Sequence, residues 1–131
     1  MVHVLSADST AANALNAAWS DLASEEVYPG IIRQTVNGAC QTMVRYHYAP
    51  GSVFPVHSHP EEQVTIVVSG AIAFTVASQE FVLTAGHVAV IPAGIEHGAR
   101  VLGAESVETF NALSPRRLQA PGPEEWNVIS E

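Results

Sequence analysis

The sequence predicts an all-β fold, a sandwich or barrel built as one domain. From Ile31 onward, runs of five to eight residues rich in Val, Ile, Thr and Phe alternate with Gly- and Pro-containing turns at intervals of 8–16 residues. A chain of 131 residues and 13.9 kDa suits a single domain. Its hydrophobic fraction of 47% is the globular average, which excludes general disorder.

Taken in order, residues 9–23 are rich in Ala, and Ser9 or Thr10 could cap their N-terminus, so a short helix is expected there. Tyr28-Pro29-Gly30 reads as a turn. Strands are expected over Ile31–Val36 and Gln41–Tyr48, the latter closed by Ala49-Pro50-Gly51. Further strands are Val64–Val68, Ile72–Ala77, Gln79–Leu83, His87–Ile91, Gly98–Leu102 and Glu105–Leu113, all but Ile72–Ala77 stopped by a Gly or Pro turn. The tail after Pro115 is Pro-rich and polar, and is expected to lie extended on the outside with Trp126 pinned to the body. The domain therefore covers residues 1–131, with a barrel over about 31–115 and extensions 1–30 and 116–131.

Thirteen Asp+Glu against five Lys+Arg give a net charge of −8 and a pI near 5.1. All five cations are Arg. Phosphate backbones need a basic face, so nucleic acid is not an expected partner. Cys40 is the single cysteine and has no intrachain disulfide mate. The N-terminus lacks the basic and apolar regions of a signal peptide. The longest apolar stretch, Val64–Val76, is interrupted by Gly70 and falls short of a bilayer span. A soluble cytoplasmic protein that acts on a small molecule is expected.

Of six histidines, three have spacings that suggest chemistry. Where His57-Ser58-His59 is extended, a period of two puts both imidazoles on one face. Gln63, four residues on, could bring its amide oxygen to the same point. His97 follows the tight Pro92-Ala93-Gly94 turn, a rigid place to present a third ligand. His-x-His alone is also a common pattern of ordinary surface or core histidines. His3, His47 and His87 lack a partnered frame and read as ordinary.

Two frames surround these residues. The first is Gly51, five residues, His57-x-His59, three residues, Gln63, six residues, Gly70; the second is Gly86, five residues, Pro92-x-Gly94, two residues, His97. They resemble the two signature motifs of the cupin superfamily. The resemblance implies a double-stranded β-helix, or jelly-roll barrel, with one divalent transition metal (Fe, Mn, Ni, Zn, Co or Cu) on His57, His59, Gln63 and His97. Gln63 stands where the family usually has Glu, and Val101 where it usually has Asn. Glu61 or Glu62 could supply a carboxylate in a shifted register. Three imidazoles and an amide leave the ion its full charge, which strengthens it as a Lewis acid and weakens its retention.

Counting from Gly51 within that barrel, Val44, Tyr46 and Tyr48 face inward, and Thr109, Asn111 and Leu113 face the same pocket. Phe74 and Ile91 supply apolar wall. Tyr46 is either a proton or hydrogen-bond donor beside the metal or a core aromatic. Arg116 and Arg117 are either solvated cations or a carboxylate clamp.

His57-Ser-His-Pro-Glu-Glu-Gln63, Ile91-Pro-Ala-Gly-Ile-Glu-His97-Gly-Ala-Arg100 and Ser114-Pro-Arg-Arg117 are more specifically similar to the small cupins of pectin and alginate breakdown (KdgF-type). That resemblance implies ring opening of 4,5-unsaturated uronates, with Arg117 on the uronate carboxylate. Asn111 and Leu113 stand where those proteins carry an Asp and a Phe, and an amide cannot serve as a general base. The functional expectation is a mononuclear metal enzyme of isomerase or lyase type, with Tyr46, Asn111 and Arg117 at its centre. The alternatives are a cupin dioxygenase acting on an enol or diketone, and a non-catalytic binding module. A homodimer is expected, paired through Ile31–Val36 as an edge needing cover.

Overall fold

The computed structural model describes residues 5–7, 14–117 and 127–128. Within them the chain forms β1 (Leu5–Ser6), β2 (Glu25–Tyr28), β3 (Ile31–Asn37), β4 (Thr42–Tyr48), β5 (Val53–Ser58) and β6 (Glu62–Ser69). These are followed by β7 (Ala71–Val76), β8 (Gln79–Thr84), β9 (Val88–Ile91), β10 (His97–Leu102), β11 (Val107–Ser114) and β12 (Asn127–Val128).

Two sheets result. One runs β1-β3-β4-β11-β6-β9 with β2 also on β3, and the other runs β12-β5-β10-β7-β8. Neighbours far apart in sequence, such as β4 and β11 or β5 and β10, pair antiparallel. This is the jelly-roll arrangement expected of an all-β chain with these turns.

Alternation along the strands decides what lies between the sheets. In β4, Thr42, Val44, Tyr46 and Tyr48 are buried while His47 is exposed. In β11, Val107, Thr109, Asn111 and Leu113 are buried. With Ile31, Phe54, Val67, Ile72, Phe74, Ile91 and Val101 the apolar ones among these, Val44, Tyr46, Tyr48, Val107 and Leu113, form one core. Each large apolar side chain so buried contributes about 2 kcal/mol. Gly70 links β6 to β7 at φ +82°, and a Cβ there would sit 2.4 Å from the Ser106 carbonyl oxygen, so only glycine fits. No helix among the described residues is long and apolar enough to cross a membrane.

Four expectations are corrected. The helix over residues 9–23 does not form in its described part: 14–18 are irregular and exposed, and a single 3₁₀ turn covers Trp19–Asp21. Residues 9–13 lie outside the described residues. Leu15, Trp19 and Leu22 have helical spacing, but the carbonyl oxygens of Trp19 and Leu22 are taken by Gln34 Nε2 at 2.7 and 3.2 Å, Leu15 stays exposed, and short helices with little packing are marginal in water. Second, β3 is not a free edge. β1 pairs with it in parallel and β2 antiparallel, from within the same chain. Third, Val53–Ser58 is a strand that the turn pattern passes over. Pro55 hides it, and the structure accommodates Pro55 at a bulge, where two residues of β5 (Pro55 and Val56) lie opposite one of β10 (Gly98) between the pairs Phe54–Ala99 and His57–His97. Fourth, the tail packs on the outside as expected at Arg116 and at the edge strand β12, but not at Arg117. Arg117 is buried, Arg116 donates to the Ala7 carbonyl oxygen, and Asn127–Val128 pair with β5. Trp126 lies outside the described residues.

Candidate metal centre

Adjacent strands of one sheet carry His57 and His97, as direct cross-strand partners on β5 and β10. His59 follows β5 in the connection to β6, and Gln63 is the second residue of β6 in the opposite sheet. The close approach of β5 and β10 depends on Gly98, where a Cβ would lie 3.0 Å from the Phe54 carbonyl oxygen and 3.1 Å from the Val56 nitrogen. The turn before His97 is fixed by the Gly94 N–H, which donates to the His59 carbonyl oxygen at 2.8 Å. The same contact ties both histidine segments together.

Each of the three rings is held by a backbone carbonyl two residues away. The Nδ1 of His57 lies 2.8 Å from the Pro55 oxygen, that of His59 3.0 Å from the Glu61 oxygen, and that of His97 2.9 Å from the Ile95 oxygen. A carbonyl oxygen only accepts, so Nδ1 carries the proton in all three and every Nε2 presents a lone pair. The potential ligand atoms of the three lie within 4.8 Å of one another. The His97 Nε2 is buried and has no hydrogen-bond partner among the described residues.

Burial first, then the charge His97 would carry, lowers the His57 pKa to about 3. Burial lowers that of His97 to about 4. Burial and the Arg117 guanidinium also lower that of His59. All three are therefore neutral near pH 7, the form that binds metals.

Gln63 Oε1 lies 3.0 Å from His59 Nε2. Two ligand atoms bound at about 2.1 Å to one ion are roughly 3.0–3.5 Å apart. The buried lone pairs, the partnerless His97 nitrogen and this spacing fit a divalent ion held by His57, His59, His97 and Gln63. Imidazole-rich sites suit Fe, Mn, Ni, Zn, Co and Cu alike.

The enclosed floor of the cleft beside the histidines measures about 20 Å³, room for one ion or water, and the cleft above it is open toward solvent. Tyr46, Tyr48, Phe54, Phe74, Asn111, Leu113 and Arg117 contribute to its wall. Val44, Ile91 and Thr109 are buried in the core but do not line it. Thr109 lies behind the wall, accepting from Asn111 Nδ2 at 3.0 Å. Val101, where the family usually has Asn, is a core residue paired with Ile72. Arg116 is only partly buried and points to the N-terminal strand rather than the cavity.

Three functional candidates escaped the sequence reading. Glu61 appeared there only as a substitute ligand, yet its carboxylate is on the Nδ1 side of His59 and pairs with Arg117 Nη2 at 2.5 Å. Burial pushes the Glu61 carboxyl up, but the Arg117 guanidinium outweighs it and holds it below the ordinary value. Arg33 is fully buried on β3, paired with Glu25 at 2.6 Å and hydrogen-bonded to Tyr46. Thr65, also fully buried, joins Gln63 to Asn111. The available signal for Arg33 and Thr65 was strand phase: each lies two residues from a buried apolar neighbour on the same face, Ile31 and Val67.

A sequence profile described as "Cupin domain" matches residues 44–113, more than half of the chain. The chain belongs to the cupin family. Among solved structures, an RmlC-like cupin from Shewanella frigidimarina is 26% identical with a TM-score of 0.71, over 78% of this chain and 91% of that one. KdgF from Halomonas sp. is 29% identical with a TM-score of 0.67, over 76% of this chain and 91% of that one. TT1209 from Thermus thermophilus is 25% identical with a TM-score of 0.63, over 71% and 91%. No curated protein matches by sequence. The cupin reading of the two glycine-histidine frames and the resemblance to the KdgF type are thus both supported.

Proposed function

We propose that this cupin is a mononuclear divalent-metal enzyme that acts on a small oxygenated substrate, a carbonyl, enol or unsaturated uronate, by isomerase or lyase chemistry. The observation that carries the proposal is the convergence of three neutral imidazoles, each fixed through Nδ1, with the buried His97 Nε2 satisfied by no group among the described residues. A divalent ion bound there supplies Lewis acidity toward a carbonyl or hydroxyl oxygen.

The chain's own groups supply the rest. Burial raises the Tyr46 pKa, so its hydroxyl stays protonated and serves as a donor to a developing oxyanion, not as a base. Arg33 donates to the same hydroxyl oxygen, which orients it and polarises its O–H. Arg117 lines the cavity with a guanidinium already engaged by a carboxylate. A uronate carboxylate would exchange with Glu61, which engages the guanidinium through Nη2, and could take two of its N–H groups in one plane. Asn111 contributes an amide to the wall and no base.

Elemental analysis of the purified protein tests the metal, and incubation with 4,5-unsaturated uronates, followed by loss of double-bond absorbance, tests the reaction. Stoichiometric metal and turnover abolished by chelation are expected. Absence of metal binding, or turnover unchanged in His57→Ala, would overturn the proposal.

One observation favours a second reading. The wall formed by Tyr46, Tyr48, Phe54, Phe74 and Leu113 is apolar and suits an aromatic or aliphatic enol, the substrate type of a cupin dioxygenase. Oxygen consumption coupled to turnover would select it. A non-catalytic binding module would instead keep its ligand affinity after His57→Ala and His59→Ala.

A further inference from the structure

We propose that Asn111 and Thr65 are positioning residues that fix which way round the Gln63 amide sits, so that its oxygen and not its nitrogen is offered to the histidines. The inference rests on the metal-centre reading above and concerns how this chain manages with an amide in place of a carboxylate. A carboxylate presents oxygen on both sides. An amide presents oxygen on one and N–H on the other in nearly the same shape, so something must choose.

The histidine side chooses wrongly. With its Nδ1–H donated to the Glu61 carbonyl oxygen, His59 Nε2 offers a lone pair, and Gln63 Oε1 stands 3.0 Å from it. Two acceptors at that distance repel unless a cation lies between them. A reversed amide would instead donate N–H to the ring.

The opposite side enforces the observed direction through a chain of hydrogen bonds anchored on main chain. The Val44 carbonyl oxygen can only accept, so Asn111 must turn its Nδ2 toward it, at 3.2 Å, with Thr109 Oγ1 taking the other proton at 3.0 Å. The Asn111 Oδ1 therefore faces the other way. There it accepts from Thr65 Oγ1 at 2.7 Å and from Gln63 Nε2 at 3.3 Å. Having donated its proton, the Thr65 hydroxyl can only accept, and Gln63 Nε2 donates to it at 2.8 Å. Both protons of the Gln63 amide nitrogen are thus claimed, and Oε1 is left toward the cavity. Thr65 and Asn111 are essentially inaccessible to solvent, so no water relieves a reversed amide. The Asn111 amide is used at both ends, which makes it an orienting group rather than one that acts on a substrate.

The test is a double-mutant cycle read by metal affinity and not by turnover. Zn²⁺ and Co²⁺ affinities are measured by competition with a chromophoric chelator for the wild type, Asn111→Leu and Thr65→Val. The same two substitutions are then measured in a Gln63→Glu background, with thermal unfolding as a check of folding. In the wild-type background each should weaken binding, roughly 10–100-fold for Asn111→Leu and less for Thr65→Val, as for other groups that orient a ligand. The visible spectrum of the Co²⁺ form should change as the oxygen leaves. In the Gln63→Glu background the loss should vanish, because a carboxylate has no wrong way round. Equal losses in both backgrounds, or no loss in either, would overturn the inference while leaving the metal centre intact. If the wild type binds neither ion, the metal reading itself fails and takes the inference with it. Should Asn111→Leu not fold, the near-isosteric Thr65→Val carries the cycle alone.

Discussion

His57 and His97 face each other across neighbouring antiparallel strands, with ring centroids 4.3 Å apart and both rings buried. Burial makes both resist protonation, and the charge His97 would carry depresses His57 further, as that of His59 does His97.

The first prediction is acid sensitivity of the metal-free protein. An unfolded histidine titrates near 6.5, whereas His57 and His97 are depressed to about 3 and about 4 in the fold. Between these values the unfolded chain binds more protons than the native one, so stability rises with pH. The contribution is fully present above about pH 6.5 and is lost as pH falls toward the folded values. Each imidazole then costs about 1.4 kcal/mol per pH unit. Urea unfolding at pH 7, 6 and 5 should show this slope, and it should flatten in a His57→Ala, His97→Ala double variant. A stability independent of pH over that range would contradict the assigned burial.

Metal binding should stabilise the fold. Loading at a free concentration a hundredfold above the dissociation constant contributes about 2.7 kcal/mol, readable as a rise in Tm that chelator reverses. His57→Ala and His59→Ala should lose that response. Retention of the full shift in both variants would place the ion elsewhere.

Removing one partner of the Glu61–Arg117 pair should cost more than removing both. The two groups are nearly enclosed, with side-chain exposures of 11% and 7%, so Arg117→Met strands a buried carboxylate at a cost of about 3 kcal/mol. Adding Glu61→Gln to that variant should recover most of the loss. Equilibrium denaturation of the two singles and the double measures the coupling, and simple additivity would show that the pair is not coupled.

Gly98→Ala should be harmful where Gly94→Ala is mild. At position 98 the new methyl meets backbone atoms of β5 at 3.0–3.1 Å, which cannot yield without parting β5 from β10. At 94 nothing lies within 4 Å, and only the positive φ of 75° opposes the change. A loss of about 2 kcal/mol or more is expected for the first and about 1 kcal/mol for the second. Metal affinity should fall only with the first, because only it separates His97 from His57.

Much of this centre could be read in the sequence because its spacing is set by turns. Gly51, Gly70, Gly86, Pro92 and Gly94 mark where strands must end, and that fixes where His57, His59, Gln63 and His97 fall. The wall was half legible for the same reason: period-two counting placed Tyr46, Tyr48, Asn111 and Leu113 inward, as found. It could not separate residues at the cavity from those packed behind it, such as Val44, Thr109 and Ile91, because depth within a barrel is not periodic. The N-terminal segment misled because Ala favours helix while offering nothing to bury. Arg33, and the pairing of Arg117 with Glu61, were obscure because a cation is buried only when an anion elsewhere in the sequence meets it, and Glu25 and Glu61 lie 8 and 56 residues away.

The four candidate ligands do not come from one layer. Gln63 rises from the sheet that contains β11, while His57 and His97 belong to the other. Whatever they grip together acts as a rivet through the sandwich, and the halves can peel apart only after it has been drawn. Amide protons of β6 and β10 should then exchange in step in the loaded protein and independently once it is stripped.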